Sequence, residues 1–412
     1  MSVGDGDLGS APFPRRPCGR VAAMRLIHTA DWHLGRLFHG RHLTDDQAAV
    51  LEQLIGLVAE LRPAAVLVAG DLYDRAIPPT EAVELLDHVL SEIVLGLGVP
   101  VVAIAGNHDS PERVGFGAGL YRRRGLLMAG RLPATAEPLV LQDEHGRLAI
   151  HALPYAAPAE ARHRYADDSI DDHAAALEAG VSRARAATPA GARSVLVAHA
   201  YVTGAEASES ERPLSLGGAG EVPASVFAGF DYVALGHLHR PQRAGDQRVR
   251  YAGSLLKYAF AEYDQRKSVT VVEVGAPSRE GLAAISVEQA ELAAPHDVRR
   301  VEGTLAEILE RGRSDPGRDD YVLACLRDRG ALLDPLSRLR EVYPWTMRVE
   351  RPDVEREAAG RGARPDPRRA GEAELFADFF RYVTDDDPSE AERAAFAEIV
   401  DKLRRVDQEA PR

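Results

Sequence analysis

The stretch IAGNHDS, residues 104–110, follows the apolar run VPVVA and sets Asn107, His108 and Asp109 at the end of a buried strand. An amide, an imidazole and a carboxylate in consecutive positions can bind a metal, move a proton or accept hydrogen bonds, which is more chemistry than a turn needs. The pattern recurs along the chain. RLIHTA runs into Asp31-Trp32-His33, AAVLVAG into Gly70-Asp71, SVLVAHA ends at His199, and YVALGH leads into Gly236-His237-Leu238-His239. In layered α/β domains ligands gather at the C-terminal edge of the sheet, so separate strands deliver these groups to one region.

Asp31, His33, Asp71, Asn107, His199, His237 and His239 combine hard oxygen donors with imidazole nitrogens, the ligand types of Mn²⁺, Fe²⁺ or Zn²⁺. They are too many for one ion. They suit two ions about 3.5–4 Å apart, bridged by a carboxylate, an arrangement used for in-line attack on phosphorus. No cysteine is among them, which argues against a structural zinc site. Each element alone is weak: D-x-H is usually a surface loop, a lone histidine a satisfied core residue, G-D a turn. Their joint occurrence, in order and at strand ends, carries the reading.

The elements that must position these residues are short runs rich in Val, Ile, Leu and Ala, as strands buried on both faces should be. They alternate with helical patterns from Met24 to about residue 279. Thr44-Asp45-Asp46-Gln47 has the form of a capping box, and Val50, Leu54, Leu57, Val58 and Leu61 follow at helical spacing, predicting a crossover helix over 45–61. Such alternation predicts an α/β layered domain. Beyond 280, TLAEILER, YVLACLRD, DPLSRLREVY and TMRVE read as helix, strand, helix, strand, a small second domain over 280–350. Residues 351–371 are charged and rich in Pro and Gly, which suits a linker. Within 372–412, Leu375, Phe376, Phe379, Phe380 and Val383 form one helical stripe, and Phe396, Ile399, Val400 and Leu403 a second, capped by Ser389 with Glu392. Two such stripes beyond a linker are expected either to fold back on the body or to dock on a partner, and the linker favours the partner.

At 412 residues, 45% hydrophobic and 27% charged, the chain has a globular composition. No apolar run is long enough to span a membrane. Residues 1–23 lack a signal-peptide core and read as a disordered tail or a misassigned start before Met24. Cys18 and Cys325 offer no disulfide framework, favouring a reducing cytoplasm. A net charge of −13 argues against a broadly basic nucleic-acid surface, leaving Arg122-Arg123-Arg124 as a local patch or a solvated face.

The set D-x-H, G-D, G-N-H-D, H, G-H-x-H resembles the pattern of the calcineurin-like metallophosphoesterase superfamily, which implies a layered αββα sandwich. Carried over, Asp31, His33, Asp71 and His239 would hold one ion and Asp71, Asn107, His199 and His237 the other. His108 would face the substrate, and Asp109 or Asp74 could orient it. More of the chain resembles the SbcD-type nuclease subunits of bacterial SbcCD complexes: MRLIHTADWHLGR at 24–36, GDLYDRAIPP at 70–79, GNHDSPER at 106–113, SESERPLSLGG at 208–218 and DYVALGHLHRPQ at 231–242. YAGS replaces the expected YPGS, and 156–190, rich in Ala and Arg, does not align. That resemblance implies a Mn²⁺-dependent DNA exonuclease/endonuclease of repair and recombination, cytoplasmic and nucleoid-associated. It implies a homodimer within a heterotetramer with an SbcC-type ATPase, a DNA-capping role for 280–350 and a partner-gripping role for 372–412. No Walker A sequence occurs here, so ATP would be handled by the partner. The alternatives are a small-molecule phosphodiesterase or phosphatase of the superfamily, which needs nothing after 280, and a non-catalytic scaffold, which would not need a complete ligand set.

Overall fold

The computed structural model describes residues 23–133, 136–155, 157–211, 220–278, 281–352, 372–384 and 386–409. The expected N-terminal tail, apart from Ala23, and the expected linker from Asp353 onward lie outside the described residues.

Two six-stranded sheets make up the first of two compact units, Met1–Pro295. The first contains β1 (Met24–Thr29), β2 (Ala65–Val68), β3 (Val101–Ile104) and β4 (Leu126–Ala129), all parallel. The second contains β5 (Leu139–Asp143), β6 (Gly146–Leu153), β7 (Arg193–His199), β8 (Tyr232–Gly236), β9 (Gln242–Ala244) and β10 (Asp246–Tyr251), in the order β9-β10-β8-β7-β6-β5. β11 (Ser268–Pro277) returns to pair antiparallel with β1, and β12 (Ala283–Glu291) pairs antiparallel with β11, closing the first sheet's other edge. The sequence reading set a domain boundary at 279/280. Because β12 hydrogen-bonds along most of β11, the chain stays in the first unit until Pro295.

Strand alternation explains the layers. Leu26, Leu67, Val102 and Ile104 from the first sheet meet Leu148, Ile150, Val195 and Val197 from the second in one buried cluster. On the second sheet's outer face, Leu196, Ala198, Val233 and Leu235 pack with Ala161 of α3 (Pro158–Tyr165) and with Ala176, Val181 and Ala184 of α4 (His173–Ala187). The Ala/Arg-rich segment therefore supplies a helical cover whose small residues allow close approach, while the Arg183 guanidinium lies 3.8 Å from the centre of the Tyr165 ring. α1 (Thr44–Leu61) and α2 (Thr80–Ser91) bury Val50, Leu51, Leu54 and Val58, and Ala82, Leu86 and Val89. The result is the αββα sandwich expected.

One expectation about α1 is corrected. The helix begins without a side-chain cap; its N-cap is Leu43. Gln47 is fully buried and its amide is used elsewhere, accepting from Gly35 N and donating to Trp32 O (3.1 Å) and His33 O (2.8 Å).

His28 is another buried polar residue, a bridge between sheets: Nδ1 lies 3.0 Å from Tyr232 Oη and Nε2 3.1 Å from Leu235 O. Burial outweighs the carbonyl contact and pushes its pKa down to about 3. A histidine depressed in the fold stabilises fully above its unfolded pKa near 6.5, and that contribution is lost as pH falls from there toward the folded value. By pH 5 the loss is about 1.5 pKa units, or about 2 kcal/mol. His28→Gln, whose amide can still bridge the sheets, is expected to lose less Tm than the parent between pH 7.5 and pH 5 in EDTA. Identical losses would show that His28 does not set the acid sensitivity.

The second unit, His296–Arg412, holds a parallel sheet ordered β13 (Val298–Gly303), β14 (Tyr321–Leu326), β15 (Thr346–Glu350). α5 (Leu305–Gly312), opened by a capping box between Thr304 and Glu307, and α6 (Pro335–Arg340) cover one face through Leu305, Ile308 and Leu339. The expected helix–strand–helix–strand order is present, preceded by β13. α7 (Glu372–Thr384) and α8 (Glu390–Glu409) follow. Ser389 and Glu392 form the expected cap, with Ser389 N donating to Glu392 Oε2 at 2.7 Å and Glu392 N to Ser389 Oγ at 3.3 Å. Among the described residues no helix is long and apolar enough to cross a membrane.

Candidate dimetal active site

The C-terminal ends of β1, β2, β3, β7 and β8 converge, and the loops leaving them carry the expected residues. Several reach position only by unusual backbone: φ is 53° at Asp31, 46° at His33, 49° at Asp71 and 108° at His237. A non-glycine residue with positive φ costs on the order of 1–3 kcal/mol and persists where surrounding structure over-determines it. Here hydrogen bonds between the loops do so. Asp31 N donates to Gly70 O at 3.0 Å and His33 N to Asp71 O at 2.9 Å. The Asp109 carboxylate accepts from Leu72 N (3.0 Å), Tyr73 N (2.9 Å) and Gly106 N (2.9 Å), tying the β2 and β3 loops together. Burial and the nearby Asp71 push the Asp109 carboxyl up to about 7, against the pull of those N–H groups. At Gly106 a Cβ would collide with the Asp71 carboxylate, so glycine is required for the loops to approach this closely.

Asp71 sits at the centre. Its Oδ1 accepts from His108 N at 2.9 Å, while Oδ2 lies 3.7 Å from His33 Nε2 and 3.5 Å from His199 Nε2. Two groups of possible ligand atoms, Asp31–His33–Asp71 and Asp71–His199–His237, share it. Asn107 turns its Oδ1 to His199 Nε2 (2.9 Å) and His237 Nδ1 (3.1 Å). His33 Nε2 lies 3.1 Å from His239 Nε2. All of the sequence-nominated ligands are thus in one place.

The protonation pattern says what the place suits. His199 Nδ1 lies 2.9 Å from Ala69 O, a group that only accepts, so Nδ1 carries the proton. Burial lowers the pKa of His199 and, further, those of His33 and His237, so the rings are neutral. Nε2 of His199 is then a bare lone pair facing the lone pairs of Asp71. His239 repeats the pattern: Nδ1 faces the buried Glu262 carboxylate at 3.3 Å, leaving Nε2 as a lone pair toward His33. Among the described residues His33 Nδ1 has no hydrogen-bond partner. Burial, then Asp71, raises the Asp31 carboxyl well above the usual carboxylate range. Neutral imidazoles and crowded carboxylates turned lone pair to lone pair are an arrangement that a divalent cation on each side of Asp71 would relieve. The residues fit two such ions.

Of the two residues the sequence suggested for orienting His108, Asp74 does so, through its main chain and not its carboxylate. The His108 Nδ1 donates to the main-chain oxygen of Asp74 at 2.8 Å, while the Asp74 carboxylate pairs with Arg36 at 2.8 Å. Asp109 acts on the loops instead. Asp74 O engages Nδ1 of His108 and not Nε2.

Sequence reasoning missed the supports: Gln47, Tyr258, whose hydroxyl donates to Trp32 O at 2.5 Å, and the buried pair Glu262–Lys267 at 2.7 Å. Only SESE at 208–211 hinted at the last group, since Glu211 Oε1 accepts from His239 N at 2.7 Å.

The SbcD C-terminal family model, described as the type 5 capsule protein repressor C-terminal domain, matches residues 294–384. Among solved structures, TT1561 of Thermus thermophilus is 13% identical with a TM-score of 0.36, covering 66% of this chain and 100% of its own. A dimetal phosphatase from Danio rerio is 13% identical with a TM-score of 0.38, covering 66% and 99%. GAP50, the anchor in the inner membrane complex of Plasmodium, is 12% identical with a TM-score of 0.37, covering 67% and 90%. The calcineurin-like phosphoesterase model matches residues 24–241, over half the chain and all of the converging loops, and the chain accordingly belongs to that family of metal-dependent phosphoester hydrolases.

Proposed function

We propose that the chain is the nuclease subunit of an SbcCD-type complex, hydrolysing phosphodiester bonds in DNA during repair and recombination. The observation that carries this is the pairing of two ligand groups on Asp71 with a C-terminal unit matched by the SbcD C-terminal model. Asp31, His33, Asp71 and His239 would hold one ion, and Asp71, Asn107, His199 and His237 the other, with Mn²⁺ preferred. Bound there, such ions supply an activated water and stabilise charge developing on the phosphoryl oxygens.

The chain's own residues do the rest. His108, fixed by its Nδ1 bond to Asp74 O, holds Nε2 toward the substrate and donates a proton to the leaving oxygen. Asp74 keeps Arg36 beside the site, where a guanidinium can meet a phosphate. Phosphate contacts of this kind position DNA without reading its sequence.

The part of the expected capping segment that lies in the second unit, from His296 to residue 350, would cap the DNA. In α7 and α8, Phe376 stacks on Phe396 (centroids 4.2 Å, 9° between planes), while Phe379 and Ile399 are 65% and 57% exposed. Phe380 lies 5.8 Å from Phe376, and Leu375 is in the same helix with its side chain outside the described set. The stripe thus closes in part on itself and offers its remainder to an SbcC-type ATPase. Phe116 and Leu120, 77% and 76% exposed on the first unit, support a homodimer.

The test is cleavage of end-labelled duplex and single-stranded DNA by the full chain in Mn²⁺, Mg²⁺ or EDTA, beside bis(p-nitrophenyl) phosphate. Mn²⁺-dependent DNA cleavage, with or without the ATPase partner, is expected. Hydrolysis of the small diester with DNA intact even with the partner present would favour the small-molecule alternative.

A further inference from the structure

Behind His239 lies a buried charged group that the reaction itself does not call on. Glu262 is fully buried, and its two oxygens divide their work. Oε2 takes Lys267 Nζ at 2.7 Å and Tyr258 N at 3.2 Å. Oε1 takes the hydroxyls of Ser208 (3.0 Å) and Ser210, and lies 3.3 Å from His239 Nδ1. Ser210 Oγ is itself 2.6 Å from His239 Nδ1. The same loop reaches the ligand's main chain, where His239 N donates to Glu211 Oε1 at 2.7 Å, and Lys267 Nζ donates to His239 O at 2.8 Å.

A buried ion pair is by itself weak evidence of anything beyond structure, since desolvation can cancel its attraction. What distinguishes this one is its convergence on His239, with Glu262 on the ring, Lys267 on the carbonyl and the neighbouring Glu211 on the amide. We infer that Glu262, with Ser210 as its relay, is a positioning residue. It fixes the His239 tautomer with Nδ1 protonated and aims Nε2 at one of the two ion sites, so that the 206–211 loop is part of that site's support. The Lys267 ammonium, 2.7 Å from Oε2, stands beside the carboxylate, so the acceptor His239 needs is present. A carboxylate behind a ligating imidazole raises the ligand's basicity and restrains its ring. Asn107, His199 and His237 do not contact this group, so the effect belongs to one ion alone.

This rests on the two-ion reading above, and the experiment separates the two. Mn²⁺ binding to the EDTA-stripped full-length chain is measured by titration calorimetry for the parent, Glu262→Gln and Ser210→Ala, with apo Tm recorded for each. Glu262→Gln is expected to weaken one ion roughly 10–100-fold and leave the other unchanged. Ser210→Ala, which keeps the Glu262–Lys267 pair intact, should weaken the same ion roughly tenfold with apo Tm unmoved. It carries the test if Glu262→Gln does not fold. Folded variants that hold both ions at parental affinity, or weaken both alike, overturn the inference. A parent that does not bind two ions overturns the two-ion reading instead.

Discussion

Asp71→Asn should abolish Mn²⁺-dependent hydrolysis, by at least about 10³-fold, while making the metal-free protein more stable. The two effects share a cause. Asp71 is the one residue common to both ligand groups, so neutralising it removes the shared charge from both ions. In the metal-free protein the same charge is a liability. It contributes, after burial, to raising the carboxyls of Asp31 and Asp109, and its Oδ2 faces the lone pair of His199 Nε2 at 3.5 Å. An asparagine keeps the oxygen that His108 N needs and turns an amide N–H toward that lone pair. Relief of about 1 kcal/mol would raise Tm by about 2–4 °C in a unit this size. Calorimetry in EDTA and metal titration check both halves. An apo variant less stable than the parent would show that Asp71 is held mainly for structure.

His108→Ala should lower kcat by about 10²–10⁴-fold with both ions still bound. The imidazole stands outside the two ligand groups that share Asp71, clustering instead with His33 and Asp74, and contacts the protein through Asp74 O and an edge-to-face packing against His33 at 4.6 Å. Its loss should therefore leave KM and metal stoichiometry near parental, the signature of an interaction made in the transition state. The leaving group provides a second reading. A p-nitrophenolate departs without protonation, whereas the alkoxide from DNA needs a proton, so the variant's deficit should be much smaller on the aryl diester. An equal deficit on both substrates would move His108 from proton donation to stabilising phosphoryl charge.

How much of this was legible in sequence varies with the physics. The central strands were legible because they are buried on both faces, and unbroken Val/Ile/Leu/Ala runs have few other uses. The ligands followed because ends of parallel strands share an edge. β11 and β12 were not foreseen; β12 is a mostly exposed edge strand whose few apolar residues give a weak signal until its pairing with β11 is known. Gln47 illustrates a different failure: its spacing from Thr44 satisfies a local rule, but the fold uses its amide on the loop carrying His33. Tertiary demand outweighed local capping. Glu262 and Lys267 were invisible for a related reason, because an ion pair behind a ligand depends on a loop return that no periodicity encodes. The left-handed backbone at Asp31, His33 and Asp71 was equally hidden, as such positions usually declare themselves with glycine. The C-terminal stripes were legible as stripes, but not the stacking of Phe376 on Phe396 that satisfies part of them.

The central claim is that Asp71 stands between two divalent cations. Anomalous scattering from a crystal of the full chain soaked with Mn²⁺ tests it most directly. Two peaks about 3.5–4 Å apart on either side of the Asp71 carboxylate are predicted. A single peak, or peaks away from Asp71, would contradict the account.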